Sequence, residues 1–217
     1  MTHAFAGASG VLFDCDGTLL NTMDIWNETE EQLIAQAARP LTFEELNDVR
    51  SAPITQGALL LHEKHGVGTS SQAVLDFLDD SLMGFYRTQA QALPGAAALL
   101  EALRNDGIPC AVVTSSPLRY VEEGLRHAGI LEYFSEVVAT DEVGLSKRDP
   151  AIYLNTLEAI GADADTAWGV DDALYAIRSM NAAGLRTVGT YECDETGTFE
   201  DLAATATRAV RSLEELL

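Results

Sequence analysis

Short apolar runs alternate with helical patterns along most of this chain, and that alternation restricts the fold more than any other feature. The runs "GVLFD" at 10–14, "IPCAVVT" at 108–114, "EVVAT" at 136–140, "TAWGVDD" at 166–172 and "LRTVGTY" at 185–191 have the composition of buried strands. Helical patterns precede 108 and lie near 117–128, 150–160 and 173–183, several stopping at a glycine: Gly107, Gly129, Gly161 or Gly184. Glycine just past the last turn ends a helix because it accepts a left-handed conformation there. Strands separated by helices pair in parallel, since each return to the same edge needs a crossover. The expected fold is α/β, an open Rossmann-like parallel sheet.

One stretch breaks the rhythm. Between about Met23 and Gln91, "WNETEEQLIAQAA", "TFEELNDV", "TQGALLLHEKHG" and "QAVLDFLDDSLMGFYRTQAQ" all read as helices, and no strand stands among them. Pro94-Gly95 marks the return to the alternating pattern. The expected organisation is a core of residues 1–20 and 92–217 with an all-helical cap inserted at 21–91. A length of 217 residues with 47% apolar side chains suits one domain carrying an insert.

Ligands of open parallel sheets sit beyond the carboxyl ends of the strands. The residues that follow each run are Asp14, Asp16, Gly17 and Thr18; Thr114, Ser115 and Ser116; Asp141 and Glu142, then Ser146, Lys147 and Arg148; and Asp171 with Asp172. Carboxylates gathered in one place repel unless a cation lies among them, and oxygen donors without His or Cys favour Mg²⁺. Asp14 and Asp16, two apart on a strand, would face opposite sides, but a turn at Gly17 can bring both to one pocket. Thr114 and the N–H groups opening the next helix suit phosphate oxygens, and Thr114 equally suits a helix cap. Asp171 and Asp172 also stand where they would cap a helix opening at Ala173. Lys147 is one of two lysines in the chain, with Lys64.

The net charge of −21 argues against nucleic acid or an anionic membrane as partner, and it means that an anionic substrate needs a local reversal of the field. No apolar run of about 18 residues is present, and "MTHAFAGASG" has no basic region leading into an apolar core, so neither a membrane span nor a secretory signal is expected. Cys15, Cys110 and Cys193 form no CxxC pair, which fits reduced thiols in a cytoplasmic protein. Between two aspartates, the Cys15 thiolate is disfavoured. His62 and His65 read as solvated, His3 has no visible partner, and Trp26, Phe77, Phe85 and Tyr86 read as packing within the cap. Arg50, before "SAP", interrupts the cap helices and is either a substrate contact or a solvated charge.

"FDCDGTLLNT" closely resembles the DxDGT signature of the haloacid dehalogenase superfamily of phosphohydrolases. "VVTSS", "SKRDP" and "GVDDALYAI" resemble its second, third and fourth motifs, in the expected order. The helical stretch stands where the members with helical caps, including phosphoglycolate phosphatases and β-phosphoglucomutases, carry theirs. The resemblance implies that Asp14 is the nucleophile, giving an aspartyl-phosphate, and that Asp16 protonates the leaving oxygen and then activates water. It implies that Thr114, Ser115, Lys147, Asp16 and Gly17 hold the phosphoryl group. It also implies that Mg²⁺ is bound by Asp14, the Asp16 carbonyl and Asp172, with Asp171 in support. The substrate implied is a small phosphorylated metabolite, such as a sugar phosphate.

Several residues depart from the family pattern. Arg148 and Asp149 separate Lys147 from Pro150, Ala151 follows that proline, Asp171-Asp172-Ala173 replaces Glu-Asp-Ser, and Asn21 stands where Asp is common. The mutase alternative carries a cap histidine twelve residues after its nucleophile; here that position is Trp26, which favours a hydrolase. A phosphate-ligand sensor without turnover is the alternative of another class, and intact Asp14 and Asp16 weigh against it.

Overall fold

The computed structural model describes residues 3–191 and 196–217; Cys193 and the start of the acidic run, Asp194 and Glu195, lie outside the described residues. Six parallel strands form one sheet in the order β3-β2-β1-β4-β5-β6. They are β1 (Val11–Phe13), β2 (Cys110–Thr114), β3 (Phe134–Ala139), β4 (Trp168–Asp171), β5 (Arg186–Thr190) and β6 (Arg208–Val210). The last has no counterpart in the sequence reading. It is a short edge strand whose first residue is exposed, so it carries no continuous apolar run.

Successive side chains of a strand point to opposite faces. Val11 and Phe13 therefore pack with Leu99, Leu103 and Leu125 on one side, and Leu12 packs with Ile152, Leu157 and Ile177 on the other. A sheet buried on both faces needs apolar residues at every position, which is why its strands read as unbroken apolar runs. The covering helices are α5 (Ala96–Asn105), α6 (Leu118–His127), α8 (Pro150–Ala159), α9 (Leu174–Ala182) and α10 (Phe199–Thr205), with a single turn, α7 (Thr140–Val143), after β3. The departure at Asp149 has a local cause. Its carboxylate accepts from the Ala151 N–H at 2.9 Å, and Pro150 opens α8 where a missing N–H costs nothing.

The strand order reverses at β1. The chain runs outward through β2 and β3, then resumes on the other side of β1 with β4, β5 and β6. This reversal opens a crevice at the carboxyl ends of β1, β2 and β4.

Between β1 and α5 lie α1 (Met23–Ile34), α2 (Phe43–Ser51), α3 (Ile54–His65) and α4 (Ser71–Thr88), with no strand among them. Thr42 and Glu45 form a reciprocal capping box at the start of α2, and Ser70 caps α4. The buried face of α4, Val74, Leu78, Leu82 and Tyr86, repeats every four residues, as one helical stripe must. The chain leaves and re-enters the sheet side by side. Leu20 bridges Ala92, Asn21 N–H donates to the Gln91 carbonyl at 3.1 Å, and the Asn21 side chain accepts from Gln91 N–H at 2.7 Å. Two histidines differ from expectation. His65 is buried against the helical segment, and His3 is buried with Nε2 3.1 Å from Asp106. No helix among the described residues is long and apolar enough to cross a membrane.

Candidate active site

Asp14 follows directly on β1, with its N–H donating to the Val170 carbonyl at 2.8 Å. That bond sets Asp14 beside the end of β4, where Asp171 stands. Lys147 arrives from the loop before α8, its carbonyl accepting from the Tyr153 hydroxyl at 3.0 Å. The Lys147 ammonium is buried, donates to Asp14 Oδ1 at 2.7 Å and lies 2.5 Å from Asp171 Oδ2. The other oxygen of Asp171 accepts from the Ala173 N–H at 2.9 Å. Asp171 thus bonds both Lys147 and the backbone just before α9, whose own N-cap, Ala173, has no side-chain cap.

Burial pushes the Asp14 carboxyl up to about 7; Lys147 pulls it back, and Asp171 and Asp16 add repulsion. Burial also raises Asp171. Burial alone would push the Lys147 ammonium down, but Asp14 and Asp171 outweigh it and hold it well above its usual range. Carboxylate oxygens of Asp14, Asp171 and Asp172 lie within 4.8 Å of one another. Three carboxylates against one ammonium leave the cluster short of positive charge, and the donors are all hard oxygens. That set fits a divalent cation of the Mg²⁺ type.

Asp16 shares the cavity with Asp14. The turn that permits this runs through Gly17 at φ 76°, a conformation costly for any residue with a Cβ. The Gly17 N–H donates to the Leu20 carbonyl at 3.0 Å, which closes the turn. The Asp16 carboxylate is surrounded by hydroxyls. Thr22 donates to Oδ1 at 2.5 Å, Tyr86 donates to the same oxygen, and Ser116 donates to Oδ2 at 2.6 Å. Trp26 Nε1–H in turn donates to the Tyr86 hydroxyl at 2.6 Å.

Sequence reasoning placed Tyr86 and Trp26 in the packing of the cap. Both pack there, and both also reach the site. Tyr86 lies 70 positions from Asp16, and the only available signal was that a buried tyrosine hydroxyl needs a partner. Burial, then Asp16, raise the Tyr86 hydroxyl well above its usual range, so it stays a donor. Its ring has room because Gly124 faces it; a Cβ there would come within 2.7 Å of Tyr86 Cδ1.

Thr114 ends β2 fully buried, its hydroxyl accepting from Ser116 N–H at 3.0 Å. Ser115 Oγ is buried without a hydrogen-bond partner, and Thr114, Ser115 and Ser116 all line the cavity. An unpaired buried hydroxyl beside a cation and N–H groups suits an incoming anion's oxygens. Asp141, collected with the others from the sequence, goes elsewhere: it accepts from Thr55 on α3 at 2.8 Å.

Helices α1 to α4 roof the crevice, leaving a cavity of about 170 Å³. One set of contacts between roof and floor is made by Arg148. Its guanidinium donates to Ser51 Oγ at 2.6 Å and to the Asn47 carbonyl at 3.3 Å, and it stacks 4.9 Å above the Tyr175 ring. Tyr175 donates to the Arg50 carbonyl at 3.3 Å. The residue inserted after Lys147 thus ties the floor to the roof.

A family model for haloacid dehalogenase-like hydrolases matches residues 8–184. The N-acetylmuramic acid 6-phosphate phosphatase of Pseudomonas aeruginosa is 30% identical, over 82% of this chain and 79% of its own length. The phosphoglycolate phosphatase of Yersinia pseudotuberculosis is 29% identical over 85% and 82%. In fold, the chain is similar to CbbY from Rhodobacter sphaeroides in complex with phosphate, with a TM-score of 0.78, 24% identity and 96% of each chain covered.

Proposed function

The chain belongs to the haloacid dehalogenase-like hydrolases, and on that premise we propose that it hydrolyses a small phosphomonoester, with Mg²⁺, through an aspartyl-phosphate. The observation that carries this reading is the division of labour between two carboxylates in one cavity. Asp14 lies against the Lys147 ammonium, and Asp16 lies in a ring of hydroxyls. A carboxylate oxygen of Asp14 attacks phosphorus as the bond to the leaving oxygen breaks, and Asp16 gives that oxygen a proton. Asp16 then takes a proton from water, which attacks phosphorus and releases orthophosphate and free Asp14. Lys147, Thr114 and Ser115 hold the phosphoryl oxygens. Asp14, Asp172 and the Asp16 carbonyl would hold Mg²⁺, with Asp171 behind them, and the ion supplies positive charge to the transferring group. Residues 21–91 act as the cap over a core of 1–20 and 92–217. The buried free thiols of Cys15 and Cys110 support a cytoplasmic location.

Hydrolysis is favoured over mutase chemistry by Trp26. Its one polar hydrogen is committed to Tyr86, so it offers no acid or base at the position where the mutase has histidine. The deciding experiment follows free phosphate against substrate loss, with β-glucose 1-phosphate included. Phosphate appears as fast as substrate disappears. Conversion to glucose 6-phosphate with little free phosphate would establish the mutase instead.

Two further outcomes test the parts. Excess chelator abolishes turnover and added Mg²⁺ restores it, and Asp172→Ala raises the Mg²⁺ concentration for half-maximal rate about tenfold or more. Full activity in chelator would refute the metal site. Tyr86→Phe takes one donor from Asp16 and strands the Trp26 N–H, so kcat falls about tenfold, in line with ~1.5 kcal/mol for a hydrogen bond to a charged group, while KM changes little. An unchanged kcat alongside a lowered melting temperature would reduce Tyr86 to packing.

A further inference from the structure

The floor of the cavity is polar and its roof is mainly apolar, with Asn27 as its uncharged amide. Above the carboxylates, Lys147 and the hydroxyls, the walls from α1 to α4 carry Leu33, Ile54, Ala58, Leu61 and Leu78. Among the described residues, the charged groups that reach the roof are Glu30 and Arg50, and they are bonded to each other. Arg50 Nε meets Glu30 Oε2 at 2.9 Å, and a second guanidinium nitrogen meets Oε1 at 2.7 Å. A bidentate pair has no net charge, and its geometry holds the guanidinium plane towards Glu30. On the floor, Lys147 is engaged by Asp14 and Asp171. With the cation proposed above the site serves one phosphoryl group, and its described side chains carry no surplus positive charge for a second anion, in a chain whose net charge is −21.

Resting on the phosphatase reading above, we propose that the substrate is the phosphate ester of a compact, neutral, mainly apolar alcohol. Two physical terms select it. Apolar surface buried against the roof contributes about 25 cal/mol per Å². A carboxylate or second phosphate placed there would lose its hydration without gaining a free cation, and a polyhydroxylated chain carries more hydroxyls than the single amide of Asn27 can pair. The cavity of about 170 Å³ extends from the floor to the roof and must take the phosphoryl group as well, so the part left against the roof suits a short branched chain or one small ring.

The test offers the full-length protein, in Mg²⁺, a panel of esters of primary alcohols: benzyl phosphate and isopentyl phosphate against phosphoglycolate, fructose 1,6-bisphosphate and glucose 6-phosphate. Because the leaving oxygens are of one type, differences in kcat/KM report the roof. The apolar esters are expected to exceed each of the others by about tenfold or more, the range a few buried methylenes supply. If phosphoglycolate, the bisphosphate or glucose 6-phosphate is hydrolysed as efficiently as the apolar esters, this inference is overturned and the phosphatase reading stands. If no ester of the panel releases phosphate, both are overturned together.

Discussion

Asp14→Asn abolishes phosphate release, lowering kcat by about 10³-fold or more, because an amide oxygen cannot take the place of a carboxylate nucleophile. The fold is expected to survive. Asparagine has the same shape, its Oδ1 still accepts from Lys147, and Lys147 keeps Asp171. The metal-free variant should melt no lower than the wild type, on the following ground. Asp14 titrates near 7 in the folded protein against 3.8 for the unperturbed group. A raised carboxyl pKa means that the folded state binds its proton more tightly than the unfolded state. Stability from this group is thus present at low pH and lost as pH rises from about 4 through 7. Asparagine removes that loss at neutral pH. Phosphate release and thermal melting in chelator check both halves; near wild-type release would end the covalent mechanism.

Lys147→Met has the second large effect, and it falls on stability and turnover together. It removes the cation from between Asp14 and Asp171 and leaves buried carboxylates facing one another. Breaking a buried pair on one side costs about 3–5 kcal/mol. Turnover should fall by about 10²–10³-fold, since the phosphoryl group loses a fixed positive charge. The pH dependence separates this account from a packing defect. Without Lys147, both carboxyl pKa values move further above 3.8, so the destabilisation is greatest at neutral pH and shrinks as both groups protonate. Melting measured from pH 8 down to pH 4 should show the variant approaching the wild type at the acid end. A gap independent of pH would mean that methionine simply packs badly.

The gathering of Asp14, Asp171 and Asp172 could be foreseen because they stand at the carboxyl ends of strands that the alternation already implied to be parallel. Asp14 follows β1, Thr114 and Asp171 end β2 and β4, and Lys147 stands in the loop before α8, so a parallel sheet has few ways to keep them apart. The helical insert was equally legible, since its stripes, such as Val74, Leu78, Leu82 and Tyr86, repeat with the period of a helix. The edge strand β6 was not, because an edge strand needs no continuous apolar run.

What the sequence determined by itself was the α/β sheet, the run of helices between its first two strands and the close spacing of Asp14 and Asp16. These depend on local periodicity and on chain connectivity, which are written residue by residue. Only the tertiary structure decided that Tyr86 reaches Asp16 and Trp26 reaches Tyr86, that Arg148 ties Ser51 to the floor, that Gly17 spends its N–H within its own turn, and that Glu30 pairs with Arg50. Most of these contacts join residues 20 to about 100 positions apart, and no local pattern encodes which face of a cap helix will meet which strand end. That choice is made by packing, when buried hydroxyls, guanidinium groups and indole N–H groups must find partners among whatever the fold has brought near.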